Sequence, residues 1–119
     1  MYAVKFTSEG LADVKALPKD ARNFLRKQIL GRLAQEPHRC SKELRHPLEG
    51  WRSFHCGNYR IVFRVYDDLQ AIAVAAVGRR LPQSPSDVYK RLEALAAQGR
   101  LAESVLKVLR EFSGPPRPQ

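Results

Sequence analysis

The chain opens with Tyr2-Ala3-Val4-Lys5-Phe6, where positions alternate and aromatic and β-branched side chains recur, the pattern of a short strand. The period then lengthens. Leu11, Val14 and Leu17 return at helical spacing behind the N-cap chemistry of Thr7-Ser8-Glu9, so a helix is predicted over residues 8–17. Pro18 interrupts it but suits the first turn of a second helix, where Asp20 places a carboxylate at the positive end. That helix carries Ala21, Phe24, Leu25, Ile29 and Leu33 on one stripe, with Arg22, Arg26, Lys27 and Arg32 toward the other side. It should stop near Glu36, because a residue preceding proline disfavours the helical region. The two helices form a hairpin.

Residues 37–50 hold two prolines, a glycine and scattered charges, and read as a connecting loop. Three strands are predicted next, over 51–56, 59–66 and 71–77, with Gly57-Asn58 and Asp67-Asp68 as the turns between them. In the second, Ile61, Phe63 and Val65 face opposite Arg60, Val62 and Arg64; the third is an unbroken apolar run suited to a central, buried position. The order β-α-α-β-β-β, with an antiparallel three-strand meander, predicts an α+β domain carrying both helices on one sheet face. Past Gly78-Arg79-Arg80, the segment Leu81-Pro82-Gln83-Ser84-Pro85-Ser86 is a loop offering Ser84 or Ser86 as a cap. A helix over 87–97 and a further helical stretch with Leu101, Val105, Leu106 and Leu109, running to about 112, complete a C-terminal helical extension. The proline-rich end cannot continue a helix and is expected to be disordered. The expected organisation is thus a principal domain at 1–89, its extension at 90–112 and a tail at 113–119.

At 119 residues with 44% hydrophobic content, one domain with a single core is the natural count. The longest uncharged apolar run, 71–78, falls far short of the ~20 residues that span a bilayer. The alternating start lacks the apolar block of a signal peptide, so a cytoplasmic protein is expected. Cys40 and Cys56 are too few for a disulfide framework and read as reduced thiols. Charge adds more. Twenty-one Lys and Arg against 12 Asp and Glu leave a net charge of +9. Between Arg22 and Arg64 stand ten Lys and Arg but three Asp and Glu (Glu36, Glu43, Glu49), so seven of the nine excess charges sit there. Such a field attracts polyanions, nucleic acid among them.

The segment Trp51-Arg52-Ser53-Phe54-His55-Cys56-Gly57-Asn58-Tyr59-Arg60-Ile61-Val62-Phe63-Arg64-Val65 resembles the RelE/ParE superfamily of toxins from bacterial toxin-antitoxin systems. An aromatic-Arg pair, a strand, Gly-x-Tyr-Arg and a β-branched strand carry the likeness. The opening strand, the Leu17-Pro18 break, and Val77-Gly78-Arg79-Arg80 with Tyr89 downstream extend it over residues 2–89. The two prolines between Arg80 and Tyr89, and the stretch beyond Tyr89, make this chain longer than compact relatives.

The resemblance implies one of two activities. The RelE branch is a ribosome-dependent mRNA endoribonuclease, an mRNA interferase that inhibits translation; the ParE branch acts on DNA gyrase without cutting RNA; a catalytically inert antitoxin-binding relative is a further alternative. The nuclease chemistry uses the RNA's own 2′-hydroxyl, so no metal and no cofactor is required. It needs a base for that hydroxyl, cations around the phosphorane and an acid for the departing 5′-oxygen. Arginine stays protonated and cannot be the base, but its planar fork suits phosphate oxygens. By resemblance Arg60 clamps the scissile phosphate, with a salt bridge as the plainer alternative, and Arg80 serves the phosphate or the leaving oxygen. Adjacent Arg79 is the alternative, since strand neighbours point to opposite faces. Arg52 and Arg64 join Arg79 as expected substrate-binding residues.

The lysines that resemblance places on the strand at 51–56 are absent, and His55 is the titratable group there with an ordinary pKa near ~6.5, so it is the candidate base. A merely exposed or structural histidine is the alternative. Tyr89 is expected to stack on or orient the substrate base, or else to pack the C-terminal helix; Trp51 is expected in the core. Arg52, His55, Arg60, Arg80 and Tyr89 should therefore converge on one sheet face. Resemblance also implies a cognate antitoxin that folds across the helix hairpin and sheet, to which Leu101, Val105 and Leu109 belong unless they pack within the chain.

Overall fold

The computed structural model describes residues 1–113, so the tail expected over 113–119 lies outside them except for Ser113, the last helical residue. The elements are β1 (Ala3–Phe6), α1 (Ser8–Lys15), α2 (Lys19–Gln28), β2 (Lys42–Glu43), β3 (Arg52–Cys56), β4 (Tyr59–Tyr66), β5 (Ala71–Gly78), α3 (Val88–Ala97) and α4 (Arg100–Ser113). Thr7 caps α1 as its side chain accepts from the Gly10 N–H at 3.1 Å. Beyond α2 the helix widens over Ile29–Leu33 into a π-helical turn, closed by Ala34 N–H to Ile29 O at 2.8 Å.

The five strands form one sheet in the order β1-β5-β4-β3-β2. The predicted meander is antiparallel, but β1 joins it in parallel beside β5, from Ala3 opposite Ala71 to Phe6 opposite Val74, so the sheet is mixed. The helix hairpin carries the chain from one edge to the other, and the meander returns it. The expected loop at 37–50 contributes β2, two residues paired to Ser53 and Arg52 at the far edge. Two exposed charged residues give no alternation to read.

Leu25, Ile29 and Leu33 from α2 and its π turn cover Phe54, Cys56, Ile61, Phe63, Ile72, Val74 and Val77 on one face. Val14 and Leu17 pack into the same core, as the predicted hairpin requires. The other face is covered by α3 and α4: Val88, Leu92, Leu101 and Val105 meet Trp51, Val62, Ala75 and Ala76. A bulge creates that second surface. Val62 pairs with Ala76 and Phe63 with Val74, so Ala75 is the extra residue and two consecutive alanines turn toward the C-terminal helices. Leu101 and Val105 therefore pack within the chain.

The cap of α3 differs from expectation. It is Asp87, not Ser84 or Ser86: its carboxylate accepts from Tyr89 N–H and Lys90 N–H, each at 3.1 Å, and from Leu81 N–H. Ser84 instead folds its own loop, accepting from Ser86 N–H at 3.2 Å. Among the described residues no helix is long and apolar enough to cross a membrane.

Candidate active site

The β3–β4 hairpin sets the first two side chains. Gly57, at φ +60, takes the left-handed position of the two-residue turn, so Cys56 pairs with Tyr59 and His55 with Arg60. Alternation sends Phe54 and Cys56 into the first core and leaves Ser53, His55 and Arg60 on the face of α3. Arg60 also lies opposite Gly78 on β5, and the chain continues from there to Arg80. Asp87 then turns it into α3, whose first turn carries Tyr89.

His55, Arg60, Arg80 and Tyr89 line one open cleft of about 300 Å³, together with Leu44, Arg45, Leu48 and Glu93. A second cavity of about 300 Å³ adjoins it, sharing Arg60 and Arg80 and adding Gly57, Asn58 and Arg79. The electrostatics are unusual. Desolvation first, then the charges of Arg60, Lys42 and Arg80, hold the His55 imidazole below its ordinary value of 6.5, which favours the neutral form that can accept a proton. Among the described residues the buried Nε of Arg60 has no partner, and its Nη1 makes only a long 3.4 Å bond to Tyr59 O. Among the described residues no carboxylate comes within ion-pairing distance of Arg60, Arg79 or Arg80, so the salt bridge left open for Arg60 does not form there.

The other expected residues lie elsewhere. Arg52 does not share the face of His55: it has the parity of Phe54, and its guanidinium binds Ser41 Oγ at 2.7 Å and the carbonyls of Ser41 and His38 at 3.1 and 3.2 Å. It anchors the loop before β2. Arg64 lies over Tyr66, 5.7 Å from the ring centroid, and Arg79 over Tyr59 at 5.6 Å, so Arg80 rather than Arg79 enters the cleft beside His55. Trp51 is 6% exposed in the second core. Tyr89 packs its body against that core, as its structural reading expects, and also lines the cleft, its hydroxyl sharing a 2.8 Å hydrogen bond with Ser53 Oγ. His38 and His46 pair with Asp67 and Glu49 at the surface. Sequence reasoning missed Glu93, Arg45, Leu44 and Leu48. Glu93 stands four residues after Tyr89 and so shares its helix face, a readable signal; the other three come from the irregular loop.

Known proteins resemble this chain in sequence and fold. Residues 4–81 match the family described as ParE toxin of type II toxin-antitoxin system, parDE. The chain is 32% identical to Toxin RelE of Mycobacterium tuberculosis over 79 residues, 66% of this chain and 81% of that one. It is 31% identical to Toxin RelG of the same organism over 90 residues, 76% of this chain and 98% of that one. Among solved structures it is similar to the toxin-antitoxin complex RelBE2 of M. tuberculosis, with a TM-score of 0.64 and 32% identity over 66% of this chain and 98% of the other. The isolated RelE toxin of Escherichia coli has the same fold at 20% identity, with a TM-score of 0.57 over 83% of this chain and 98% of that one. With the family match covering most of the sheet and both N-terminal helices, the chain belongs to the RelE/ParE family of type II toxins.

Proposed function

We propose that this toxin is a RelE-like, metal-independent endoribonuclease that cuts mRNA on the ribosome and so inhibits translation. The observation that carries the reading is one open cleft holding His55, whose charged form is disfavoured, beside Arg60 and Arg80, which pair with no carboxylate among the described residues. Neutral His55 takes the proton of an RNA 2′-hydroxyl, and the 2′-oxygen attacks the adjacent phosphorus. Arg60 holds the non-bridging oxygens as charge develops on the phosphorane. The bond from phosphorus to the 5′-oxygen then breaks, Arg80 hydrogen-bonding to the departing oxygen, which water protonates. The products are a 2′,3′-cyclic phosphate and a 5′-hydroxyl. Tyr89 supplies the stacking surface for a neighbouring base, worth roughly 1–3 kcal/mol per base in single-strand binders.

The test is message cleavage by purified protein on programmed ribosomes in EDTA. Wild type should cut, and Arg60→Ala should lose about 100-fold or more in rate, the usual cost of one transition-state donor. An intact message, or equal cleavage by Arg60→Ala, overturns the reading. A second reading, non-enzymatic inhibition of DNA gyrase, draws on the ParE family match and on a β3 without lysine. It requires loss of gyrase supercoiling with no cut message.

A cognate antitoxin is the partner we propose, since the similar M. tuberculosis protein is in a toxin-antitoxin complex. A groove of about 590 Å³ between β1, α1 and α2 would receive part of it, with Val4, Phe6, Leu25 and Ile29 beneath a rim of Lys19, Arg22 and Arg26. That composition suits an amphipathic segment with acidic flanks.

A further inference from the structure

β1 ends at Phe6 opposite Val74, so beyond that point the outer edge of β5 has no neighbouring strand. Its backbone groups are met by side chains and by the start of α1 instead. Thr7 N–H reaches Val74 O at 2.9 Å. Val77 N–H donates to Asp13 Oδ2 at 2.9 Å, and Arg91 Nη2 donates to Val77 O at 3.3 Å. The two side chains close on each other, Arg91 Nη1 to Asp13 Oδ1 at 2.7 Å, with Asp13 only 15% exposed. Residues 78 apart in sequence thus grip both polar groups of one residue, Val77, which stands on β5 three positions before Arg80, and one of the two, Arg91, lies on the helix that carries Tyr89. Gly78 makes room for the grip: a Cβ there would lie 2.7 Å from Arg91 Nη2.

We infer that Asp13 and Arg91 are positioning residues of the cleft, fixing the end of β5, which aims Arg80, against the first turns of α3, which aim Tyr89. Neither lines the cleft with His55, so neither acts on the reacting atoms. Their effect runs through Arg80 and Tyr89. A misplacement of about 1 Å in a positioned group is enough to cost ~100-fold in rate. The grip also supplies the donor and the acceptor that a neighbouring strand would otherwise provide, so its loss lets the segment between Val77 and Asp87 shift while α1 and α3 stay docked through their apolar faces.

This inference rests on the nuclease reading for its rate measurement, and a binding measurement keeps the two separable. Single-turnover cleavage on programmed ribosomes is compared for wild type, Arg91→Ala, Arg80→Ala and the double variant. Arg91→Ala should lose about 10- to 100-fold in rate with KM little changed, and in the Arg80→Ala background the same substitution should cost less than threefold. Arg91→Lys should recover part of the loss. Gly78→Ala, which deletes no group and only displaces the guanidinium, should reproduce it even where Arg91→Ala folds poorly. Losses that multiply in the double variant, or full activity in Arg91→Ala and Gly78→Ala, overturn the positioning role. If wild type cuts nothing, the nuclease reading falls; the same cycle, run on affinity for a 2′-O-methyl RNA oligonucleotide, still reads the coupling of Arg91 to Arg80 and supports or overturns the inference alone.

Discussion

The hydrogen bond between Ser53 and Tyr89 joins the middle of β3 to the first turn of α3, and its energy can be worked out from burial. Ser53 is 2% exposed and its hydroxyl bonds to the Tyr89 hydroxyl, whereas Tyr89 is half-buried and lines the open cleft. Tyr89→Phe removes one oxygen and keeps the ring. It strands a buried serine hydroxyl, and an unsatisfied buried group costs about 1–3 kcal/mol. At roughly 4 °C per kcal/mol for a domain of this size, the unfolding midpoint should drop by about 4–12 °C. Ser53→Ala strands only a hydroxyl that water can reach, for about 0.5–1.5 kcal/mol. The double variant leaves neither group unpaired and should be at least as stable as Tyr89→Phe alone. Thermal unfolding of the four proteins measures this cycle, and cleavage assays should show Tyr89→Phe within tenfold of wild type, since the stacking surface remains. Strictly additive losses, or a Tyr89→Phe midpoint equal to wild type, would refute the reasoning.

Other outcomes follow from the same geometry. Because burial and then Arg60, Lys42 and Arg80 lower the His55 pKa, the cleavage rate should fall only as pH drops through a midpoint below 6.5, and Arg80→Ala should move that midpoint upward. A pH–rate profile of both proteins checks the direction. Gly10→Ala places a Cβ 2.5 Å from Val74 O, where α1 lies directly on β5, and the backbone has no room to yield. It should destabilise by at least about 1–3 kcal/mol in denaturant unfolding, despite alanine's better helix propensity. Asp87→Ala removes the cap of α3 and the acceptor for Leu81 N–H together, so its loss should exceed the ~1 kcal/mol of an ordinary cap, as denaturant unfolding of the variant will show.

Much of this architecture was legible because local chemistry and global pairing agree. A two-residue turn at Gly57-Asn58 forces His55 opposite Arg60 whatever the rest of the chain does. The parity that made Ile61 and Phe63 a core face also put Arg52 with Phe54 and away from His55, a signal the residues themselves carried. Other features leave no trace in a single sequence. The stripe Leu25, Ile29, Leu33 keeps its face whether the last turn closes at four residues or five, so the π turn is invisible. Parallel pairing of β1 with β5 depends on where the helix hairpin delivers the chain. Arg45, Leu44 and Leu48 reach the cleft from an irregular loop, where no period assigns a face. The cap of α3 turned on the choice between serines and an aspartate adjacent in sequence, decided by Asp87's further bond from Leu81 N–H.

The site is also where the fold departs from its own rules. Buried donors are normally paired, yet among the described residues Arg60 Nε is not, and its guanidinium shares the cleft with Arg80 and Arg45 while pairing with no carboxylate there. An unsatisfied buried donor of this kind costs stability. Replacing Arg60 by methionine, which follows a similar path without donors, removes an unsatisfied group worth about 1–3 kcal/mol and a like charge beside Arg80 and Arg45. Arg60→Met should therefore unfold several degrees above wild type in phosphate-free buffer, and the gap should narrow as a polyanion is added, because only wild type gains from binding it. The same protein should have lost cleavage. If Arg60→Met unfolds below wild type in the absence of any anion, Arg60 stabilises the sheet in its own right, and its unpaired Nε says nothing about a ligand.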